Sequence, residues 1–184
     1  MSVLLRTTAE SAPVTQWPLR LLLVGIVAAV IVAALAGMRR GWRNRAARQS
    51  GIPAPPTPPA ALGDLVLPEV GGVYLATVIS GDWLDRVVVH GLGVRSRAVL
   101  RAGPAGVLLL REGAPDLFVP RGSLRAVRTD RGIAGKAYER DGVLILTWDL
   151  GGRLVDTGFR ADAADDQAAV HVALDSLVAD ERTP

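Results

Sequence analysis

The chain contains no cysteine. That excludes disulfides, thiolate metal sites, a cysteine nucleophile and a lipidated N-terminal cysteine. Histidine is almost as scarce: His90 and His171 are the only two, and neither stands in a spacing such as H-E-x-x-H that would put two ligands on one helix face. They read as exposed or capping residues, so no metal is expected. Ser80, Ser96 and Ser123 lack a G-x-S-x-G elbow, and no G-x-x-x-x-G-K-[ST] loop is present to cradle a phosphate. Gly91-Leu92-Gly93 holds two glycines of a glycine-rich motif without the third and reads as a turn. Asp82 and Asp85 are a carboxylate pair beside Trp83, but at i and i+3 near the start of a short helix such a pair is first a capping arrangement. The expectation is a protein without catalytic residues or cofactor.

Acidic residues are missing from one stretch in particular. Residues 1–63 hold seven Arg against one Glu, a net charge of +6, while residues 64–184 hold fourteen Lys and Arg against seventeen Asp and Glu, a net charge of −3. The sequence pI of about 10.1 therefore belongs to a short segment. The larger part lacks the clustered positive excess of a nucleic-acid-binding domain. At 184 residues, the chain has room for one domain beyond that segment.

Residues Leu21 to Met38 read LLLVGIVAAVIVAALAGM, with no charge at all. As a helix they extend about 27 Å, close to the thickness of a bilayer core. Ten are Leu, Val or Ile, giving about −3 to −6 kcal/mol on an insertion scale. Trp17 and Trp42 bracket the run at the two headgroup levels, and Arg20 can extend its head outward. Downstream come Arg39, Arg40, Arg43, Arg45 and Arg48 with no acid before Asp64, against Arg6, Arg20 and Glu10 upstream. The positive-inside rule then puts the C-terminal side in the cytoplasm, with residues 1–18 as a short extracytoplasmic tail and 19–38 as the membrane helix. A cleaved signal peptide is the rival reading, with Ala34-Leu35-Ala36 imitating a cleavage site, but its charge would precede the apolar run. Two further readings attach here. The five arginines suit anionic lipid headgroups as well as topology, and Gly25, Ala29, Ala33 and Gly37 make a small-residue stripe that suits a homodimer through the span as well as plain composition.

Residues 39–66 form a basic juxtamembrane segment and a linker. Prolines 53, 55, 56, 58 and 59 favour an extended polyproline II run, and the seven residues from Pro53 to Pro59 would project the next domain by about 20 Å. The P-x-x-P spacing from Pro53 to Pro56 also fits a ligand for an aromatic groove, although a linker accounts for it. From about Leu67 to residue 180 the pattern is short, β-branched runs between turn residues. Seven strands are expected: Gly72 to Ser80, Val94 to Arg101, Gly106 to Arg111, Leu117 to Val119, Leu124 to Thr129, Gly142 to Asp149 and Arg153 to Arg160. Tight turns fall at 112–116 and 149–152. In the last strand Val155, Thr157 and Phe159 share one face, leaving Asp156 and Arg160 on a wet one. A terminal helix follows, with Asp162 as cap, Asp165 and Asp166 at its positive end, and Val170, Leu174, Leu177 and Val178 on one face. Residues 82–91 fit a short helix from Asp82 to Gly91 or a strand through Val87, Val88 and Val89, and the helix is preferred.

Seven antiparallel strands and then one amphipathic helix is the order of a pleckstrin-homology-like (PH-like) barrel. The runs GDWLDRVVVHGLGVRSRA (81–98), GAPDLFVP (113–120), TDRGIAGK (129–136) and LTWDLGGRLVDTGFRAD (146–162) resemble a family of single-span actinobacterial membrane proteins with a cytosolic PH-like domain. The resemblance covers about residues 15–180. It implies an N-terminal transmembrane helix plus a mainly-β PH-like barrel with a C-terminal helix. Members are variously labelled PH-like domain, export or membrane proteins, or transporters, and their genes often neighbour those of pyrimidine biosynthesis. The resemblance brings no catalytic residues, and a lone span lacks the two gated halves of a transporter.

Residues 95–131 carry eight Arg against three acids, and residues 132–184 carry five bases against ten acids, so the domain is expected to be bipolar. Arg95 and Arg97 resemble half of the basic signature with which some PH domains hold phosphoinositides, with Arg86 in place of the upstream lysine run. Arg86, Arg95 and Arg97 are thus the candidate ligand or partner face, against a solvated strand face. The expected function is a non-enzymatic, membrane-anchored interaction or scaffold module at the plasma membrane, binding a cytosolic or membrane protein rather than nucleic acid. The alternative is an accessory subunit of a transport or export complex.

Overall fold

A computed structural model describes residues 17–179, without the side chains of Arg45 and Ala46. The expected tail before Trp17 and the last residue of the expected domain therefore lie outside the described residues. Helix α1 runs from Trp17 to Arg48. Its segment Trp17–Asn44 is apolar and long enough to cross a membrane, and none of it is buried in protein. Apolar side chains exposed all round a helix fit a lipid environment, because no protein face covers them. Helix geometry persists ten residues past the expected end at Met38, so the five arginines sit on helical turns rather than in a linker.

Residues from Asn44 onward make a second compact unit. Its strands are β1 (Val70–Ile79), β2 (Ser96–Gly103), β3 (Gly106–Arg111), β4 (Leu117–Pro120), β5 (Leu124–Asp130), β6 (Gly132–Ile133), β7 (Lys136–Ala137), β8 (Val143–Asp149) and β9 (Leu154–Ala161). The seven expected strands are all present, within two residues at each end. They form one antiparallel sheet in the order β4-β3-β2-β1-β9-β8-β5. Two meanders are thus joined where β1 pairs with β9. The sheet does not close into the expected barrel, because β4 and β5 are its two free edges. Strand β4 has only four residues and ends in Pro120, which has no N–H to extend a ladder.

Helix α2 (Ala164–Ala179) packs on β5 and β9. Its buried side chains include Val170, Leu174, Leu177 and Val178, the face expected from sequence. They join Tyr74, Leu100, Leu109, Leu144, Leu146, Trp148 and Phe159 in the main core. The cap is different from the one expected. Both carboxylate oxygens of Asp162 accept from Arg97, at 2.7 Å each, and the start of α2 is tied instead by Gln167. That side chain accepts from the Ala161 N–H at 3.0 Å and donates to the Asp141 carbonyl at 2.7 Å.

The second face of the sheet is drier than the alternation in β9 suggested. A hairpin of β6 and β7, too short to show a strand period, lays Ile133 over Leu75, Val78, Val143 and Ile145. Gly158 makes room, since a Cβ there would stand 2.9 Å from Ile133. Asp156, expected on a wet face, is only 5% exposed. It accepts from Arg128 at 2.8 Å and from Thr147 at 2.7 Å.

Residues 82–91 form neither the preferred helix nor a strand. They are turns, an isolated bridge between Arg86 and Val78, and a 3-10 turn at Val89–Gly91. Asp82 does cap, accepting from the N–H groups of Leu84 and Asp85, but it caps a turn. The proline run also departs from a free spacer. It lacks regular hydrogen bonding, as expected, yet both ends are fastened. Ile52 is 2% exposed in the main core, Pro53 lies over Gly151, and Leu62 packs on Leu108 and Phe118 while its carbonyl accepts from Ala105. Burying Ile52 and Leu62 outweighs the freedom of a projecting linker, at about 1.5–3 kcal/mol per large aliphatic side chain. The domain therefore begins well before Leu67.

Candidate interaction surface

The loop between β1 and β2, residues 80–95, carries two of the three candidate arginines, and buried polar side chains hold its shape. A bulge between Tyr74 and Ala76 in β1 turns Tyr74 and Thr77 to the same face of the sheet. The Tyr74 hydroxyl lies 2.6 Å from the Leu92 carbonyl and 2.8 Å from the Thr77 hydroxyl, which lies 2.8 Å from that of Thr157, itself 2.9 Å from Trp148 Nε1. A carbonyl only accepts and an indole N–H only donates. The direction follows: Trp148 donates to Thr157, Thr157 to Thr77, Thr77 to Tyr74, and Tyr74 to Leu92. Every proton in this buried relay is used once. Burial drives the Tyr74 hydroxyl up to about 12, against smaller opposing effects of the Thr77 hydrogen bond and the charges of Arg111 and Arg86.

Arg111 holds the other end of the loop. This buried guanidinium donates to the carbonyls of Gly91, Val94 and Pro115 and to Ser96 Oγ, and stacks 3.8 Å above the Tyr74 ring. Desolvation lowers its pKa, with the charges of Tyr74 and Asp116 opposing. The middle of the loop is held by the segment after α1. Gln49 donates to the Arg86 carbonyl at 3.0 Å and accepts from the Val88 N–H at 2.7 Å, so its amide pairs with the loop as a peptide unit would. The Ile52 carbonyl accepts from His90 Nε2 at 2.8 Å, which places that proton on Nε2.

The three candidate arginines do not form one site. Arg86 and Arg95 line a small recess of about 30 Å³ with Lys136 and Tyr138. Within it Arg86 is committed, donating to the carbonyls of Gly93 and Ala134 at 3.3 Å each. The side chains of Arg95 and Lys136 have no hydrogen-bond or ion-pair partner among the described residues. Arg97 is elsewhere, in its bidentate pair with Asp162. That hydrogen-bonded pair raises the pKa of Arg97 and lowers that of Asp162. Sequence reasoning missed Lys136 because the β6–β7 hairpin that delivers it has no strand-length signal. On α1, Arg39, Arg40, Arg43 and Arg48 are exposed, and the Arg45 side chain lies outside the description. Gly25, Ala29, Ala33 and Gly37 are exposed too, with open space around both glycines.

A larger open cleft of about 510 Å³ lies beside the start of α2, lined by Arg140, Asp141, Arg160, Asp162, Gln167 and His171 among others. Its charges are mixed, and Asp162 and Gln167 are already engaged. The Thr129 hydroxyl there donates to Asp141 Oδ1 at 2.8 Å. Among the described residues no group of three His, Asp or Glu side chains is placed to hold a metal ion.

No curated protein matches the chain. A family model described as Bacterial PH domain-like matches residues 52–175, two thirds of the chain. The match starts at the buried Ile52, ahead of the proline run, and ends within α2. The chain belongs to the bacterial PH domain-like family.

Proposed function

We propose that this protein is a membrane-anchored, non-catalytic interaction module whose PH-like domain binds a protein partner. The observation that carries the reading is the direct joining of a PH-like domain to a helix apolar enough to cross a membrane, through a linker tied to the domain at both ends. Such domains are in general non-catalytic binding modules. Five arginines follow the apolar run with no acid before Asp64, which supports a plasma-membrane span with the N-terminus outside and the domain in the cytoplasm. The −3 charge of residues 64–184 argues against nucleic acid as the partner. Anchoring raises the local concentration of membrane-proximal partners without new contacts.

The second reading is an accessory subunit of a transport or export complex. The exposed small-residue stripe from Gly25 to Gly37 favours it, since such a face lets another helix approach closely. Crosslinked cells expressing the full chain or residues 44–184, analysed by mass spectrometry, separate the two. A cytosolic protein recovered with both supports the module. Membrane-embedded proteins recovered with the full chain alone refute it in favour of the subunit.

A further inference from the structure

We infer that the proline run is itself a docking surface: an extended rod, held on the domain with two of its three faces outward, that fits a groove lined by Trp and Tyr rings on a protein partner. The inference rests on the partner-binding reading above and assigns it a surface. Burial from Ile52 onward repeats every third residue. Ile52 is 2% exposed and Pro55 and Pro58 are half-buried, while Pro53, Ala54, Pro56, Thr57, Pro59 and Ala60 are exposed. Three residues per turn is the period of polyproline II, so one ridge of the rod lies on the domain and two face solvent. A linker accounts for the P-x-x-P spacing but not for this pattern, since a projecting spacer has no buried side.

What the outward faces offer decides the chemistry of the partner. No charge occurs from Gln49 to Gly63, which leaves a charged surface nothing to hold. The five prolines have no N–H, so the run cannot join a sheet edge as an added strand. Its carbonyls from Pro53 to Ala61 take no hydrogen bond from any described residue. Flat pyrrolidine faces beside free carbonyl acceptors match an aromatic ring that carries its own donor, the indole N–H of Trp or the hydroxyl of Tyr. The run is also fixed before any partner arrives, since the Ile52 carbonyl accepts from His90 and the Leu62 carbonyl from Ala105. Little further entropy is lost in ordering it, and that loss is the usual penalty for binding an extended segment.

The test places the photocrosslinker p-benzoylphenylalanine in the full chain in cells. It replaces Ala60 at the end of the run, or Trp83 or Val172, which are 54% and 70% exposed elsewhere on the domain. The expected result is a protein captured at position 60. A free peptide of about ten prolines, added in excess to lysed cells before illumination, should remove that product because it presents the same rod. Pro56→Ala with Pro59→Ala should lower the yield roughly tenfold, with the domain still folded by circular dichroism. The peptide competition needs no variant and decides the matter if this one unfolds. A product at position 60 that survives the peptide or the folded double variant would overturn the inference, as would crosslinks only to a second copy of this chain. Capture at 83 or 172 with none at 60 would also overturn it, while leaving the partner reading standing. No capture at any of the three positions would overturn both.

Discussion

Replacing Tyr74 by Phe removes one oxygen from a buried relay whose every proton is committed. The Leu92 carbonyl keeps its bond from the Thr77 N–H at 3.0 Å, and Arg111 keeps a ring to stack on. The Thr77 hydroxyl loses its acceptor, a loss of about 1–3 kcal/mol for a buried polar group left unpaired. That alone would not single out the relay, but its pH dependence does. The Tyr74 pKa is raised from 10.0 in the unfolded chain to about 12 in the fold. Stability from a raised pKa is fully present below the unfolded value and is lost as pH rises through the folded one. The wild-type advantage over Tyr74→Phe should therefore shrink by about 1.4 kcal/mol by pH 11 and by about 2.7 kcal/mol above pH 12. Urea unfolding of residues 44–184 measures it, with Trp83→Phe in both proteins so that the buried Trp148 is the reporter. Taking the difference between the two proteins at each pH cancels the other groups that titrate there. An advantage that stays constant from about pH 8 to about pH 11.5 would refute the reasoning, since a buried phenol must lose its proton harder than an exposed one.

Three further outcomes are expected from the packing. Residues 44–184 should fold as an independent unit with a cooperative urea transition, whereas a fragment starting at residue 64 loses Ile52 and Leu62 and should be less stable by about 3–6 kcal/mol. Gly72→Ala would put a Cβ 2.3 Å from the Arg160 carbonyl oxygen, a backbone atom that cannot turn aside, and should cost about 3 kcal/mol in thermal unfolding. Arg111→Met strips hydrogen bonds from three carbonyls of the 91–94 and 115 turns. Its loss should amount to at least about 3 kcal/mol and should raise amide hydrogen exchange in those turns before the rest of the sheet.

What the chain's order of residues determined alone is the part governed by local periodicity. Eighteen uncharged residues flanked by Trp17 and Trp42 specify a membrane-length helix whatever follows. Period-two runs between turn residues specify seven strands, and the spacing of Val170, Leu174, Leu177 and Val178 specifies the buried side of α2. Recognition of a PH-like domain rests on the same local runs. The Asp162 cap and the 82–91 helix were misread for a common reason: a local rule assigned a side chain or segment that a distant partner claims, Arg97 for the first and Gln49, Thr77 and Leu92 for the second.

Tertiary structure alone decided everything that depends on residues far apart in the chain. A single bulge reverses the alternation of β1 and turns Tyr74 and Thr77 to one side, and no strand pattern announces it. A two-residue hairpin is too short to carry a period, yet it covers Gly158 and brings Lys136 beside Arg95. A proline-rich run is extended whether it projects or lies flat, and only the cavities that accept Ile52 and Leu62 settle which.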